Sequence, residues 1–462
     1  MNKYNNIKEI EIIAKSAEKI WGDSYDVLWK IINKKKLKIG AEIGVAYGGH
    51  AKRIVMKTKS KLYCIDPYKH LKNYQDGMNL PQKDFNKLYK YTKNRLKRFS
   101  GRCRILRNTS TVAARNLKIN LDFVYIDANH TYNGLMKDIC IWFAKINNGG
   151  IISGHDYNHP NHPGVKKAVD EFFNRFNWKI HTHKSGVWWV EKKPLFISFV
   201  IPAYNCQTTI TDAVESIIKT NMLSEDEIVI IDDASIDGSV KTIQSLQKNN
   251  RGIKLHINKI NLGSAQTRNI ALTHTKNELI FMLDSDNILF PNSVLKLKKF
   301  LINNVVDAAC FQEIRYFKTR DKISHKWIFP KNRYVFADYF ATHHVPGASG
   351  NYLFTRRLFM TTGGYPGVRF QDTWGFGLRH AAAGFEVAVL PKSYYFHRFG
   401  KDSNWVRYSK TNNTSINALK IIRPYINQVI FRDVIYMLTS GLTKWFDNIP
   451  NRPIRLKRND EI

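Results

Sequence analysis

Several carboxylates sit where a buried strand should not end in them. In ELIFMLDSDNILFPN, Glu278 to Asn292, the apolar run Leu279 to Leu283 stops at Asp284 and Asp286, with no Lys or Arg beside them to neutralise the pair. Either the chain turns into solvent there, or something positively charged that is not part of the protein sits at that point. The pattern recurs. SFVIPAYN ends one strand-like run in Pro202-Ala203-Tyr204-Asn205, and EIVIIDDASIDGS ends the next in Asp232-Asp233. A third is followed by Asn261-x-Gly263 and Arg268-Asn269. A lone Asp-Asp at a strand end is usually a helix cap. Four polar ends in order, each on a successive parallel strand, converge instead on one edge of a sheet.

A second group lies upstream. AEIGVAYGGHAKRI, Ala41 to Ile54, gives Glu42-x-Gly44-x-x-x-Gly48, a glycine turn that lets backbone approach a ligand at a helix N-terminus. The spacing is not G-x-G-x-x-G, which weakens a dinucleotide reading. CIDPYKH puts Asp66 at the end of the next strand, where a carboxylate can accept both hydroxyls of a ribose. Asn108-Thr109-Ser110 ends a third strand, where polar side chains can border an adenine.

The elements that must position these residues follow one rhythm. KIGAEIGV, KLYCID, CRILRN, LDFVYID and GGIIS are short apolar runs separated by longer amphipathic segments, the βαβ pattern of a parallel sheet covered by helices. After Gly150 come a helix around Val165 to Phe176 and two runs, WKIHTH and GVWWVEKK, that read as an antiparallel pair closing the sheet. Pro194 opens a second series: LFISFVIPAYN, EIVIIDD, IKLHIN and ELIFMLDSD. From about Asp307 the rhythm loosens into aromatic, Gly-rich segments, and helices (Ile416 to Leu442) and a basic tail follow. The expectation is an α/β protein of two domains, 1–193 and 194–405, with a C-terminal helical extension over 406–462.

Composition narrows the field. With 462 residues and 43% apolar content, the chain has material for two or three cores. The net charge of +34 fits either a polyanionic partner or a Lys-rich composition spread over solvated faces; the lysines are scattered and no Arg-rich block stands out. Five widely spaced cysteines without a CxxC pair suggest neither a disulfide framework nor a zinc site. The N-terminal stretch reads as a charged amphipathic helix and not a signal peptide, and no run approaches a membrane span. A cytoplasmic protein, soluble or peripheral to a membrane, is expected.

Residues 37–191 resemble a class I S-adenosylmethionine-dependent methyltransferase, with its Rossmann-like sheet and antiparallel end. The resemblance implies that Glu42, Gly44, Gly48, Asp66, Ser110 and Asp127 hold S-adenosyl-L-methionine. The stretch from Leu121 to Val165, which contains IDANHTY and GHDYNHPNHPGV, resembles the branch that methylates oxygen on sugars and small metabolites. There the acid ending the fourth strand and acids after the fifth can hold magnesium; the matching positions here are Asp127, His155 and Asp156. Paired acids are replaced by His155-Asp156, and a His-Asp pair can equally serve as general base towards a sugar hydroxyl. Asp127 and His155 are thus catalytic candidates and Asp156 a metal candidate. Amino-group and base methyltransferases of this fold carry Asn/Asp-Pro-Pro-Tyr/Phe where this chain has Asp127-Ala128-Asn129-His130, which argues against nucleic-acid bases as substrates.

Residues 195 to about 400 resemble a family 2 glycosyltransferase of the GT-A fold. By that resemblance Pro202, Ala203, Tyr204 and Asn205 line the nucleotide pocket, and Asp232 or Asp233 binds the base. Asn261, Gly263 and Arg268 face the nucleotide end, where a cation suits a diphosphate. Asp284 and Asp286 form the Asp-x-Asp element, Asp286 coordinating Mn2+ or Mg2+ and Asp284 contacting the ribose or the metal shell. Hard divalent ions take carboxylate and phosphate oxygen together, which answers the missing charge. Asp372, in VRFQDTWGFG, falls where the family carries its catalytic base, with Gln371 replacing the usual first acid. Trp374 is expected beneath an acceptor sugar, Gly350 in the acceptor-side loop GASGN, and His397 as a late metal ligand. The implied partners are a UDP-, GDP- or dTDP-sugar and a glycan or lipid-linked acceptor. Peripheral membrane contact through Trp445 and Phe446 is a lesser possibility, and nucleic acid is not expected. Two rival readings are a glycosyltransferase with a non-catalytic docking domain and a polyanion-binding protein with inactive folds.

Overall fold

The alternating apolar runs become two mixed sheets in the computed structural model, one in each of two compact units, Met1–Pro194 and Leu195–Ile462. The structure describes residues 7–72, 78–319, 322–341, 344–368, 371–399 and 420–428.

In the first unit the strands are β1 (Ile39–Ile43), β2 (Lys61–Ile65), β3 (Cys103–Leu106), β4 (Leu121–Ile126), β5 (Ile146–Gly154), β6 (His181–Thr182) and β7 (Trp188–Glu191). Their order is β3-β2-β1-β4-β5-β7-β6. β1 to β5 run parallel, and β7 returns antiparallel along β5 with β6 beyond it, as WKIHTH and GVWWVEKK foretold. Parallel strands covered on both faces need continuous apolar runs, and Phe123, Val124, Tyr125 and Ile126 of β4 are all buried. Chain order reverses at β1, so a crevice opens beyond the C-terminal ends of β1 and β4. Two helices, Ile7–Ile20 and Gly22–Lys35, precede the sheet; the second buries Ser24, Leu28 and Ile32 at a 3.6-residue period.

The second unit holds β8 (Ile197–Ala203), β9 (Glu227–Asp232), β10 (Ile253–Ile257), β11 (Leu279–Met282), β12 (Ile288–Leu289), β13 (Ala308–Thr319), β14 (Lys322–Ile328), β15 (Arg333–Tyr334), β16 (Leu353–Thr355) and β17 (Val387–Arg398). The main path is β10-β9-β8-β11-β16-β13-β17-β12, with β14 on β13 and β15 on β17. β8 to β11 are parallel, and the order reverses at β8, placing a second crevice at the ends of β8 and β11. The loosened region after Asp307 is more regular than its sequence suggests. It contains β13 and β17, each of 12 residues and paired in parallel. Basic and aromatic residues interrupt both strands, which hides their alternation.

Most of the expected C-terminal extension, including the basic tail, Trp445 and Phe446, lies outside the described residues. Of it, Ile421 and Ile422 are buried, and Ile421 packs close to Gly375. Among the described residues no helix is long and apolar enough to cross a membrane.

Candidate functional sites

At the first crevice the glycine turn is enforced by contact. Gly44 has φ +86°, and a Cβ there would lie 2.0 Å from the Asp127 carbonyl oxygen, so only glycine lets β1 end against β4. Gly48 precedes the helix Gly49–Lys57 in the left-handed region. Asp66 holds the turn itself: Oδ2 accepts from the Val45 and Ala46 amides at 3.0 Å each, and Oδ1 from Tyr68 N at 2.8 Å. Burial pushes its pKa up, while those amides pull against the rise. Its carboxylate therefore already serves three backbone donors. Glu42 is buried, its Oε1 3.5 Å from His50 Nδ1 and its Oε2 without a partner, and burial raises its pKa. Ser110 is placed differently from a residue lining an open adenine slot. Its hydroxyl donates to Asp138 Oδ1 at 2.5 Å and accepts from Trp142 Nε1 at 2.9 Å, tying its helix to the helix Tyr132–Phe143.

Asp127, His155 and Asp156, grouped by the resemblance, each offer a ligand atom within 4.8 Å of the others, and two imidazoles join them. His155 Nδ1 lies 2.8 Å from Asp156 Oδ1, and its Nε2 lies 3.2 Å from Ser24 Oγ. Burial disfavours the charged imidazole, but the Asp156 hydrogen bond and the nearby carboxylates outweigh it and raise the His155 pKa. His130 Nε2 stands 3.2 Å from Asp127 Oδ1 and 3.4 Å from Asp156 Oδ2, while His162 Nε2 is 4.0 Å from the same Oδ2. Sequence reading passed over His130 as a site residue, and over His162 and Ser24 altogether. The repeated histidines of NHPNHP, directly after His155-Asp156, were the available signal.

In the second crevice the polar strand ends interlock. Asp233 Oδ1 accepts from Asn258 Nδ2 and Leu262 N, and Oδ2 from Gly263 N, each at 2.9 Å. Asn261 Nδ2 donates to the Asp233 carbonyl at 3.1 Å. Asp233 thus shapes the loop leading into the helix Ser264–Thr273, while Asp232, fully buried, accepts from Ser235 N at 2.9 Å and leaves Oδ1 without a partner. Pro202 and Ala203 end β8 beside Ile231 and Asp232. Asn205, at φ +47°, accepts from Ile236 N at 3.0 Å. Ile236 is 88% exposed, and Tyr204, Ile260 and Leu262 are exposed with it. These four exposed apolar side chains lie on the loops that follow β8, β9 and β10; of them the sequence pointed only to Tyr204.

Arg268 lies between two of the expected acids. Nη1 donates to Asp372 Oδ2, Nη2 to Asp284 Oδ1 at 2.7 Å, and all but a small part of the side chain is buried. Burial disfavours its charge, but Asp372 and Asp284 reverse the effect and raise its pKa. Ser264 Oγ adds a bond to Asp372 Oδ2 at 3.0 Å. Asn351 grips Asp284 at both ends, Oδ1 accepting from its amide at 2.8 Å and Nδ2 donating to Oδ2 at 3.0 Å. Gly350, at φ +73°, lets this loop pass, since a Cβ would meet Thr373 at 2.8 Å. Burial raises the pKa of Asp286, and the His397 charge partly offsets that. Asp284 and His397 both act on its charge, but among the described residues the ligand atoms of these three do not close to within 4.8 Å of one another. Trp374 is a correction. It is fully buried in the helix Asp372–Ala382, which also buries Phe376 and Leu378, so its ring belongs to the core and not to a sugar-binding floor.

Residues 198–363 match the glycosyl transferase family 2 model, and residues 39–157 match a methyltransferase domain model. The hyaluronan synthase of Pasteurella multocida is 36% identical over 113 residues, 24% of this chain and 11% of that protein. The UDP-Glc:alpha-D-GlcNAc-diphosphoundecaprenol beta-1,3-glucosyltransferase WfgD of Escherichia coli is 31% identical over 110 residues, 24% of this chain and 42% of that one. The chain therefore spans less than half the length of either relative. Among solved structures, S. aureus TarS in complex with UDP-GlcNAc aligns with a TM-score of 0.43 and 18% identity, over 54% of this chain and 72% of that one, a likeness too distant to support any residue's role.

Proposed function

The chain joins a methyltransferase domain to a family 2 glycosyltransferase domain, and on that premise we propose a bifunctional glycan-modifying enzyme. The second unit transfers a sugar from a nucleotide-sugar to an acceptor hydroxyl with inversion. The first transfers a methyl group from S-adenosyl-L-methionine to a sugar oxygen. The observation that carries the first half is the convergence of Ser264 and Arg268 on one oxygen of Asp372, next to Asp284 and Asp286.

Both donors to Asp372 use Oδ2, which leaves Oδ1 to take the proton of an acceptor hydroxyl. Loss of that proton lets the oxygen form its bond to the anomeric carbon while the bond to the diphosphate breaks on the opposite face. Arg268 balances Asp372 and Asp284 before the donor arrives, and an incoming phosphate can compete with either acid for its guanidinium. Asp286, with Asp284 and His397, would hold Mn2+ or Mg2+, which when bound supplies positive charge for the leaving diphosphate. In this reading the nucleotide base packs on the exposed Tyr204 and Ile236; the UDP-Glc in the name of the Escherichia coli relative supports a nucleotide-sugar as the donor class. In the first unit Gly44 and Gly48 would admit the cofactor at the helix N-terminus, and Asp127 would take the proton of a substrate hydroxyl, since His155 is held at both ring nitrogens by Asp156 and Ser24.

A thermal-shift screen of the full chain tests both halves, since a ligand that binds only the folded state raises the melting temperature. UDP, GDP or dTDP should act with Mn2+, and S-adenosylhomocysteine independently. Absence of every nucleotide shift would overturn the transfer reading. A second reading, a non-catalytic first unit, draws on the internal partners already taken by Asp66, Ser110 and His155; a nucleotide shift without an S-adenosylhomocysteine shift would favour it.

A further inference from the structure

The distances around Asp156 fall into two kinds. His155 Nδ1 to Oδ1, at 2.8 Å, is an ordinary charge-assisted hydrogen bond. The contacts on the other side, His130 Nε2 to Oδ2 at 3.4 Å and His162 Nε2 to Oδ2 at 4.0 Å, are too long for one, and His130 Nε2 to Asp127 Oδ1, at 3.2 Å, is at the outer limit. Ligand atoms about 2.1 Å from a common metal ion stand roughly 3.0–3.4 Å apart at right or tetrahedral angles. One nitrogen each of His130 and His162 and one oxygen of Asp156 lie within 4.8 Å of one another.

We propose that His130, His162 and Asp156 form a site for a borderline divalent transition ion such as Zn2+, Fe2+ or Co2+, and not for magnesium. Imidazole nitrogen suits these ions, whereas Mg2+ prefers an all-oxygen shell that keeps several waters. His155 is then not a ligand. It orients the Asp156 carboxylate from behind through Oδ1, and Ser24 fixes its ring from the far nitrogen, the support that metal-bound carboxylates commonly have. Three elements deliver the ligands: the turn between β4 and its helix (His130), the second residue after β5, held at φ +59° (Asp156), and the residue preceding the helix Pro163–Asn174 (His162). Asp127 Oδ1 lies 3.2 Å from His130 Nε2 but is not one of the three ligand atoms that lie within 4.8 Å of one another. What the ion would act on rests on the methyl-transfer reading; that it binds does not.

The test uses the full chain, free of any histidine tag and carrying Asp286→Asn so that the second unit lacks its own metal carboxylate. After chelation, Co2+ is titrated and followed by its visible absorption, with Mg2+ as competitor. One equivalent of Co2+ should bind, and Mg2+ in roughly 100-fold excess should not displace it. His162→Ala and His162→Gln should each weaken binding by roughly 100-fold or more, and His155→Ala by about 10–100-fold through loss of orientation. His159→Ala, which removes a ring that stacks on His162 but is not among the clustered ligand atoms and keeps the backbone bond from His159 N to the Asp156 carbonyl, should bind normally. Melting transitions show that each variant is folded. Equal competition by Mg2+, or unchanged binding in both folded His162 variants, would overturn the proposal. S-adenosylhomocysteine calorimetry on the same protein separates the two ideas. Cofactor binding without Co2+ binding refutes the site and spares the methyl-transfer reading, and the reverse result does the opposite.

Discussion

Replacing Arg268 with Met keeps an apolar stem of similar length and removes the guanidinium that lies by the Tyr365 ring and carries the charge between Asp284 and Asp372. The two arms differ in weight. The Arg268 and Asp372 side chains are 9% and 7% exposed, so water cannot replace the lost partner, and stranding a buried charge costs ~3–5 kcal/mol. Asp284 is 24% exposed and keeps its bond from Asn351, so that arm adds ~1 kcal/mol or less. Asp372→Asn leaves Arg268 paired with Asp284 and should cost ~1–3 kcal/mol, the range for a hydrogen bond to a charged group. In the double variant neither charge is stranded on this arm. Its destabilisation should fall short of the sum by at least ~1.5 kcal/mol. Urea unfolding of the full chain measures this, read from the transition that a nucleoside diphosphate displaces. Single effects that add to within ~0.5 kcal/mol would refute the claim that these groups act as one unit.

Three further outcomes are expected. Burial raises the Asp138 pKa to about 6, so its charge weighs against the fold above that pH and not below the unfolded value near 3.8; Asp138→Asn, which keeps an acceptor for Ser110, should stabilise the first unit by up to roughly 3 kcal/mol at pH 7 and hardly at all near pH 4, as paired melts will show. Asp286→Asn should abolish the Mn2+-dependent nucleotide shift and leave any S-adenosylhomocysteine shift intact; loss of both would contradict two separate sites. Tyr204→Ala and Ile236→Ser should each weaken UDP binding by about 5–150-fold if a base stacks there, and calorimetry that finds no change would move the base elsewhere.

What the sequence showed was whatever a single strand and its following turn contain. Asp284-Ser285-Asp286, Asp232-Asp233 and Gly44 each announce themselves because an apolar run ends in them, and the βαβ rhythm then puts each at the C-terminal edge of its own sheet without knowledge of any contact. What it concealed depends on residues far apart in the chain. Nothing near Arg268 says that Asp372, 104 positions away, will take its guanidinium, or that Asn351 will hold Asp284 across 67. Nor does the local sequence of His162 show that its ring stands 4.0 Å from Asp156. Trp374 misled for a related reason: an aromatic next to a candidate base reads as a binding surface, and only the packing of its helix shows that the ring faces inward. β13 and β17 escaped because each carries Lys, Arg and Tyr at positions that break a simple period.

Sheet order also sets a timetable for synthesis. β1 can reach its neighbour β4 only after residue 126 has emerged, and the antiparallel closure at β7 completes the first sheet by Glu191. The second sheet waits far longer, because β12, next in the chain after the Asp-x-Asp turn, is held by β17, which ends at Arg398. The intervening 207 residues take roughly 10–40 s to translate at 5–20 residues per second. A nascent chain therefore passes through a stage at which its first crevice is finished while Asp284 and Asp286 still hang on an open edge. Ligand on hand during that interval can reach only one of the two sites.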